Sequence, residues 1–61
     1  MKKFSVKAIR VNLGLTQEEM AKELSISVRA YTDKENGKSK WYWEEILKIC
    51  EIAELSPEQI K

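Results

Sequence analysis

The sequence predicts an all-α protein, a compact bundle of five short helices, on three observations. Apolar residues recur at helical spacing, capping residues stand where each such stretch begins, and no stretch alternates as a strand would. In the first stretch Val6, Ile9 and Leu13 fall at i, i+3 and i+7, one stripe of an amphipathic helix. Ser5 precedes it as a candidate N-cap, and Gly14 follows the last apolar residue as a stop.

The second helix has the clearest start. "TQEE" (Thr16 to Glu19) has the capping-box form, in which Thr16 accepts from the Glu19 amide and Glu19 reaches back. Met20, Ala21 and Leu24 form its buried side. "SIS" (Ser25 to Ser27) leaves room only for a tight turn, with Ile26 as a core plug. Ser27 caps a third helix that runs to near Asn36, Gly37 ends it, and Tyr31 is its inward-facing residue. After the "GKSK" loop, Trp43, Ile46, Leu47, Cys50 and Ala53 form the core stripe of a fourth helix, which Ile49 and Ile52 widen. Glu44 and Glu45 lie in its first turn, where the helix dipole favours negative charge. "SPEQ" (Ser56 to Gln59) repeats the capping pattern with Pro57 at the first helical position, so a last helical turn or two starts there.

Sixty-one residues form one small domain, 1–61. Domains of this size bury only about 60% of the surface their unfolded chain exposes. A hydrophobic share of 43% beside 34% charged residues marks a globular rather than a disordered chain. No apolar run is long enough to span a bilayer and no signal-peptide pattern is present, so a soluble, intracellular protein is expected. The single cysteine, Cys50, excludes an internal disulfide, and the absence of histidine removes zinc sites of the usual spacing and histidine acid–base chemistry. Cys50 reads as a small core residue and the scattered carboxylates as surface charge. No enzyme activity, cofactor, metal or small-molecule ligand is expected.

Net charge is +1, unevenly distributed: residues 1–40 hold nine basic and five acidic side chains, net +4, and residues 41–61 hold two and five, net −3. Such asymmetry suggests that one end faces an anion, though a surface of this charge also arises without a function. The helix, tight turn and helix over about residues 16–36 form the supersecondary unit of DNA-binding helix-turn-helix proteins, which also occurs in purely structural roles.

With "LGLTQEEMAKEL", a turn ending in Ser27, "ENGK" after the third helix and "ILKICEIAELSPEQI" behind them, the chain resembles the lambdoid phage repressor and Cro family of helix-turn-helix domains, the XRE type, from about Val6 to Ile60. The resemblance implies a lambda repressor-like fold of five helices and a DNA-binding transcriptional regulator in the cytoplasm of a bacterium or phage-infected host. It also implies a dimer bound to a pseudo-palindromic operator. Carried over position by position, it sets the third helix in the major groove with Ser27, Val28, Arg29, Thr32 and Asp33 towards base edges. Thr16 and Gln17 at the start of the second helix, and Asn36, Lys38 and Lys40 after the third, then meet phosphates.

Elementary chemistry supports those roles. A helix start presents unpaired N–H groups and partial positive charge to a phosphate. Arg29 can donate a bidentate pair to guanine, Val28 can lie against a thymine methyl, and Asp33 can accept from cytosine. The competing reading of Arg29 and Asp33 is an i, i+4 surface ion pair. The resemblance further implies a partly buried pair between Arg10 in the first helix and Glu35 near the end of the third.

Three departures from the family stand out. Lys34 occupies a position that is usually apolar, where its stem can pack while its amine reaches solvent. Glu54 stands where glycine often ends the fourth helix, so that helix is free to run on or to join the last one differently. "WYW" (Trp41 to Trp43) replaces a proline and small residues. Trp41 and Tyr42 either pack over the loop and stiffen residues 38–40, or join Ile52, Leu55 and Ile60 in a dimer contact. The rival functional class is a protein-interaction module, such as an antitoxin, accessory phage factor or adaptor, that keeps this fold with weak or no DNA binding. Low net charge, Asp33 on the reading face and the aromatic cluster speak for it.

Overall fold

The computed structural model describes residues 3–61; Met1 and Lys2 lie outside the described residues. Four α-helices follow in order, α1 (Val6–Leu13), α2 (Gln17–Glu23), α3 (Val28–Glu35) and α4 (Trp43–Ala53). The expected fifth helix is a single 3-10 turn, Pro57–Gln59. Its brevity has a local cause: the Ile60 amide donates to the Pro57 carbonyl, and the chain then extends into an isolated parallel bridge between Phe4 and Ile60. Phe4 donates to the Gln59 carbonyl at 2.7 Å and Lys61 to the Phe4 carbonyl at 2.9 Å, so the last residues are tied to the segment before α1.

Each N-terminus is set by its own sequence. The hydroxyls of Ser5, Thr16 and Ser27 each accept from the amide three residues on, at 3.1 Å, and Glu19 completes the box by accepting from the Thr16 amide at 2.9 Å. At the end of α3, Gly37 sits at φ +82, its amide donating to Lys34 and the Lys38 amide to Asp33, so the orphan carbonyls of the last turn are satisfied. The helix ends at Glu35, with Asn36 as its cap.

The core is built from Val6 and Ile9 of α1, Met20, Ala21 and Leu24, Tyr31 of α3, Ile49 and Cys50 of α4, and Ile60. Ile26 packs against it from the α2–α3 turn, as expected. Burial pushes the Cys50 thiol up, as befits a small core residue. The orientation of α4 differs from its expected stripe: Trp43 is 61% exposed and Leu47 44%, while Ile46, Ile49, Cys50 and Ala53 face inward. Two contacts explain the rotation. Trp41 lies edge-on to Tyr31, ring centroids 5.7 Å apart, and the Lys34 ammonium draws Glu45 inward. Leu13 likewise falls at the exposed rim of the α1 stripe. Lys34 therefore does not reach solvent; its amine is enclosed and paired.

Helix α4 stops at Ala53 and does not run on, because Glu54 takes the left-handed conformation at φ +56 that glycine ordinarily supplies. A side chain there costs about 1–2 kcal/mol, and a carboxylate at a helix C-terminus adds an unfavourable dipole interaction. Replacing it with glycine forfeits about 0.4–1 kcal/mol through the unfolded chain. Glu54→Gly is expected to stabilise the fold by about 0.5–1 kcal/mol, raising Tm by a few degrees in thermal unfolding.

Candidate nucleic-acid interface

Helices α2 and α3, joined by Leu24–Ser27, pack on one another through Met20, Ala21, Leu24 and Tyr31. Ser25 in this turn has φ +58, and the Ile26 amide donates to the Ala21 carbonyl at 3.0 Å, which turns the chain sharply before Ser27 starts α3. The exposed leading end of α3 carries Val28, 43% exposed, and Arg29. Thr32 and Asp33 follow, half-buried.

Among the described residues the ion pairs are Arg10–Glu35 and Lys34–Glu45, so Arg29 and Asp33 do not pair with each other. The Arg29 guanidinium is left for an external acceptor. Two of the other positions are already engaged. Ser27 uses its hydroxyl as the cap, and Thr32 donates its one hydroxyl hydrogen to the Val28 carbonyl at 2.8 Å, with Gln17 Oε1 3.5 Å from the same oxygen. Thr32 therefore offers its methyl group more readily than its hydroxyl.

The other end of α3 is held from behind. Arg10 Nε donates to Glu35 Oε2 at 2.9 Å, and Arg10 Nη2 and Gln17 Nε2 donate to Oε1 at 3.4 and 3.0 Å. The Tyr31 hydroxyl donates to the same carboxylate, whose side chain is only 2% exposed. Burial alone would raise this carboxyl, but the hydrogen bonds from Arg10, Tyr31 and Gln17 outweigh it and hold Glu35 below its ordinary value. The Tyr31 phenol is pushed up, first by burial and then by its bond to Glu35. The hydrogen bond to Glu35 raises the Arg10 guanidinium further.

This network changes the picture of Gln17. Its side chain does not point freely outward; it bridges Glu35 and Thr32. The capping box consumes the Thr16 hydroxyl and amide, leaving the Gln17 and Glu18 amides as open donors of the first turn. Glu18 and Glu19 in that turn lessen its positive character. Asn36, Lys38 and Lys40 stand exposed on the α3–α4 loop.

The five positions weighed for a dimer contact separate. Ile60 is 8% exposed and bridged to Phe4, so it is a core residue with no surface to offer. Trp41 packs on Tyr31, which is the loop-packing alternative. Ile52 and Leu55 are half-buried against the core, and Tyr42 alone is open, at 65%. The exposed apolar surface beside Tyr42 is instead Trp43 and Leu47, which the sequence pattern assigned to the core.

A helix-turn-helix family model matches residues 6–60, nearly the whole chain. The chain belongs to the XRE-type helix-turn-helix family. No curated protein and no solved structure matches it. Membership of this helix-turn-helix family places the chain among DNA-binding regulators. No group of metal-ligating side chains occurs among the described residues, and no described helix is long and apolar enough to cross a membrane.

Because Glu35 sits below its ordinary value of 4.5, its contribution to stability is complete above that pH and is lost as pH falls through its folded value. Acid unfolding should therefore steepen below about pH 4.5, and Glu35→Gln should flatten that limb. Glu35→Ala strands the Arg10 charge, a loss of roughly 3–5 kcal/mol, against a total of about 3–9 kcal/mol for a chain this long. The expected result is a large drop in the denaturant midpoint, partly recovered in Arg10→Met/Glu35→Leu. An unchanged midpoint in Glu35→Ala would contradict the network.

Proposed function

We propose that the protein is a sequence-specific transcriptional regulator of the phage or prophage repressor type. Two copies bind a pseudo-palindromic operator with half-sites about one helical turn, roughly 34 Å, apart. The observation that carries this reading is the polarity of α3: anchored at Glu35, exposed at Val28 and Arg29, with the Arg29 guanidinium in no ion pair among the described residues. In the major groove, Arg29 donates to guanine O6 and N7, Val28 and the Thr32 methyl meet thymine methyls, and Asp33 accepts from cytosine N4. Ser27, at the start of the helix, stands towards a base edge. Asp33 also repels phosphates, so it contributes selectivity at a cost in affinity. The start of α2 at Thr16 and Gln17, through the open Gln17 and Glu18 amides, and Asn36, Lys38 and Lys40 hold the duplex backbone. Tyr42 belongs to the dimer contact, with the flanks of Ile52 and Leu55.

A second reading rests on one observation, the open Tyr42, Trp43 and Leu47 surface. Under it the chain is a protein-interaction module, and its binding is nearly indifferent to salt. A DNA reader loses affinity steeply as salt rises.

Selection from a randomised duplex pool at moderate salt is expected to enrich a two-fold-related motif. Arg29→Ala should then relax preference at one base pair and cost roughly 1–3 kcal/mol, while Lys38→Ala weakens all sequences alike and lowers the salt slope by about 1. An Arg29→Ala variant with its sequence preference intact would mean that α3 is not the reading helix.

A further inference from the structure

The last turn of α3 carries a second buried anchor, next to Glu35 but directed to a different helix. The Lys34 ammonium donates to both carboxylate oxygens of Glu45 in α4, and both side chains are about nine-tenths enclosed, with 9% and 10% exposed. The Tyr42 ring caps the ammonium at 4.2 Å, and the Trp41 ring lies 5.8 Å away. Glu45 Oε1 also accepts from the Tyr42 amide at 2.8 Å, fixing the N-terminus of α4. One carboxylate thus joins the end of α3 to the start of α4.

Between them runs the loop that bears the exposed lysines. Its leading half is tied to α3, because the Lys38 and Ser39 amides both donate to the Asp33 carbonyl, at 2.8 and 3.3 Å. Its trailing half is tied through Trp41 on Tyr31 and through Tyr42 on Glu45. Residues 36–40 between the two tethers are exposed throughout. A loop held at both ends on the reading helix keeps its charges in a fixed relation to that helix. A buried ion pair is a poor source of net stability, so a geometric role better accounts for this one.

We propose that Lys34 and Glu45 are positioning residues for DNA-backbone binding: through Tyr42 they hold the α3–α4 loop so that Lys38 and Lys40 meet phosphates while α3 lies in the groove. This rests on the DNA-binding reading above and adds residues that touch no DNA.

The test compares wild type, Lys34→Met/Glu45→Leu and Lys34→Arg for thermal stability, amide exchange at Lys38 and Ser39, and affinity for a random-sequence duplex across a salt series. The double variant exchanges buried charge for apolar volume, so it is expected to stay folded with Tm close to wild type. Its Lys38 and Ser39 amides should exchange faster, its affinity should fall for every sequence, and its salt slope should drop by about 0.9 for each lysine that leaves its phosphate. Lys34→Arg, which keeps the charge, should restore affinity and slope towards wild type. Wild-type loop exchange, affinity and salt slope in a folded double variant would overturn the proposal. If the double variant does not fold, Tyr42→Ala, which removes the exposed ring over the Lys34 ammonium, takes its place: a folded Tyr42→Ala protein with wild-type affinity and salt slope for the random-sequence duplex overturns the proposal, and one with both lowered supports it. A wild-type protein that ignores duplex DNA overturns the functional reading and this proposal with it, whereas the amide exchange reports on the loop independently of DNA.

Discussion

The Glu35 carboxylate is where α1, α2 and α3 meet. It takes donors from Arg10, Gln17 and Tyr31, so one side chain in the last turn of α3 fixes that helix against both helices before it. Arg10 extends the junction by donating to the Leu15 carbonyl at 2.7 Å, at the connection between α1 and α2. In a chain this small the apolar core is shallow, and orientation cannot be left to packing alone. Buried charge is expensive to expose unpaired, which makes alternative arrangements of these helices costly.

Two adjacent residues of opposite sign, Lys34 and Glu35, pin the trailing end of α3 in two directions, to α4 and to α1 with α2. The leading end is left open, capped only by Ser27. That division lets the scaffold hold the helix rigidly from behind while Val28 and Arg29 remain available. It also reconciles the two acidic residues of α3 with the proposed DNA-facing role of that helix. The Glu35 charge is neutralised internally, and only Asp33 keeps a carboxylate for the outer face.

Much of this is legible in the chain because it is local. The caps at Ser5, Thr16 and Ser27 need only residues three apart, and their hydrogen bonds lie where the sequence places them. Tyr31, Met20, Ala21 and Leu24 are buried as their spacing requires. What was not legible depends on distant partners. Trp43 and Leu47 form as good a helical stripe as Ile49 with Ile46 and Ala53, and the choice between the two faces is made by Lys34 and Tyr31, outside α4. The inward turn of Gln17 and the burial of Ile60 likewise depend on Glu35 and Phe4, residues distant in the sequence. The left-handed Glu54 departs from residue preference altogether, and the Glu54 and Leu55 amides, both donating to the Cys50 carbonyl, close the helix there.

The exposed Tyr42, Trp43 and Leu47 side chains lie at the N-cap and on the first turns of α4. Helix α3 and the apolar surface are therefore carried by different elements, and a single experiment can tell which of them engages DNA. The most direct measurement is a titration of isotope-labelled protein with a duplex, followed residue by residue through amide chemical shifts. Shifts concentrated at Ser27–Asp33 and Lys38–Lys40 are expected, with the α4 surface changing only where two copies meet. Shifts confined to Tyr42, Trp43 and Leu47, with α3 silent, would contradict it.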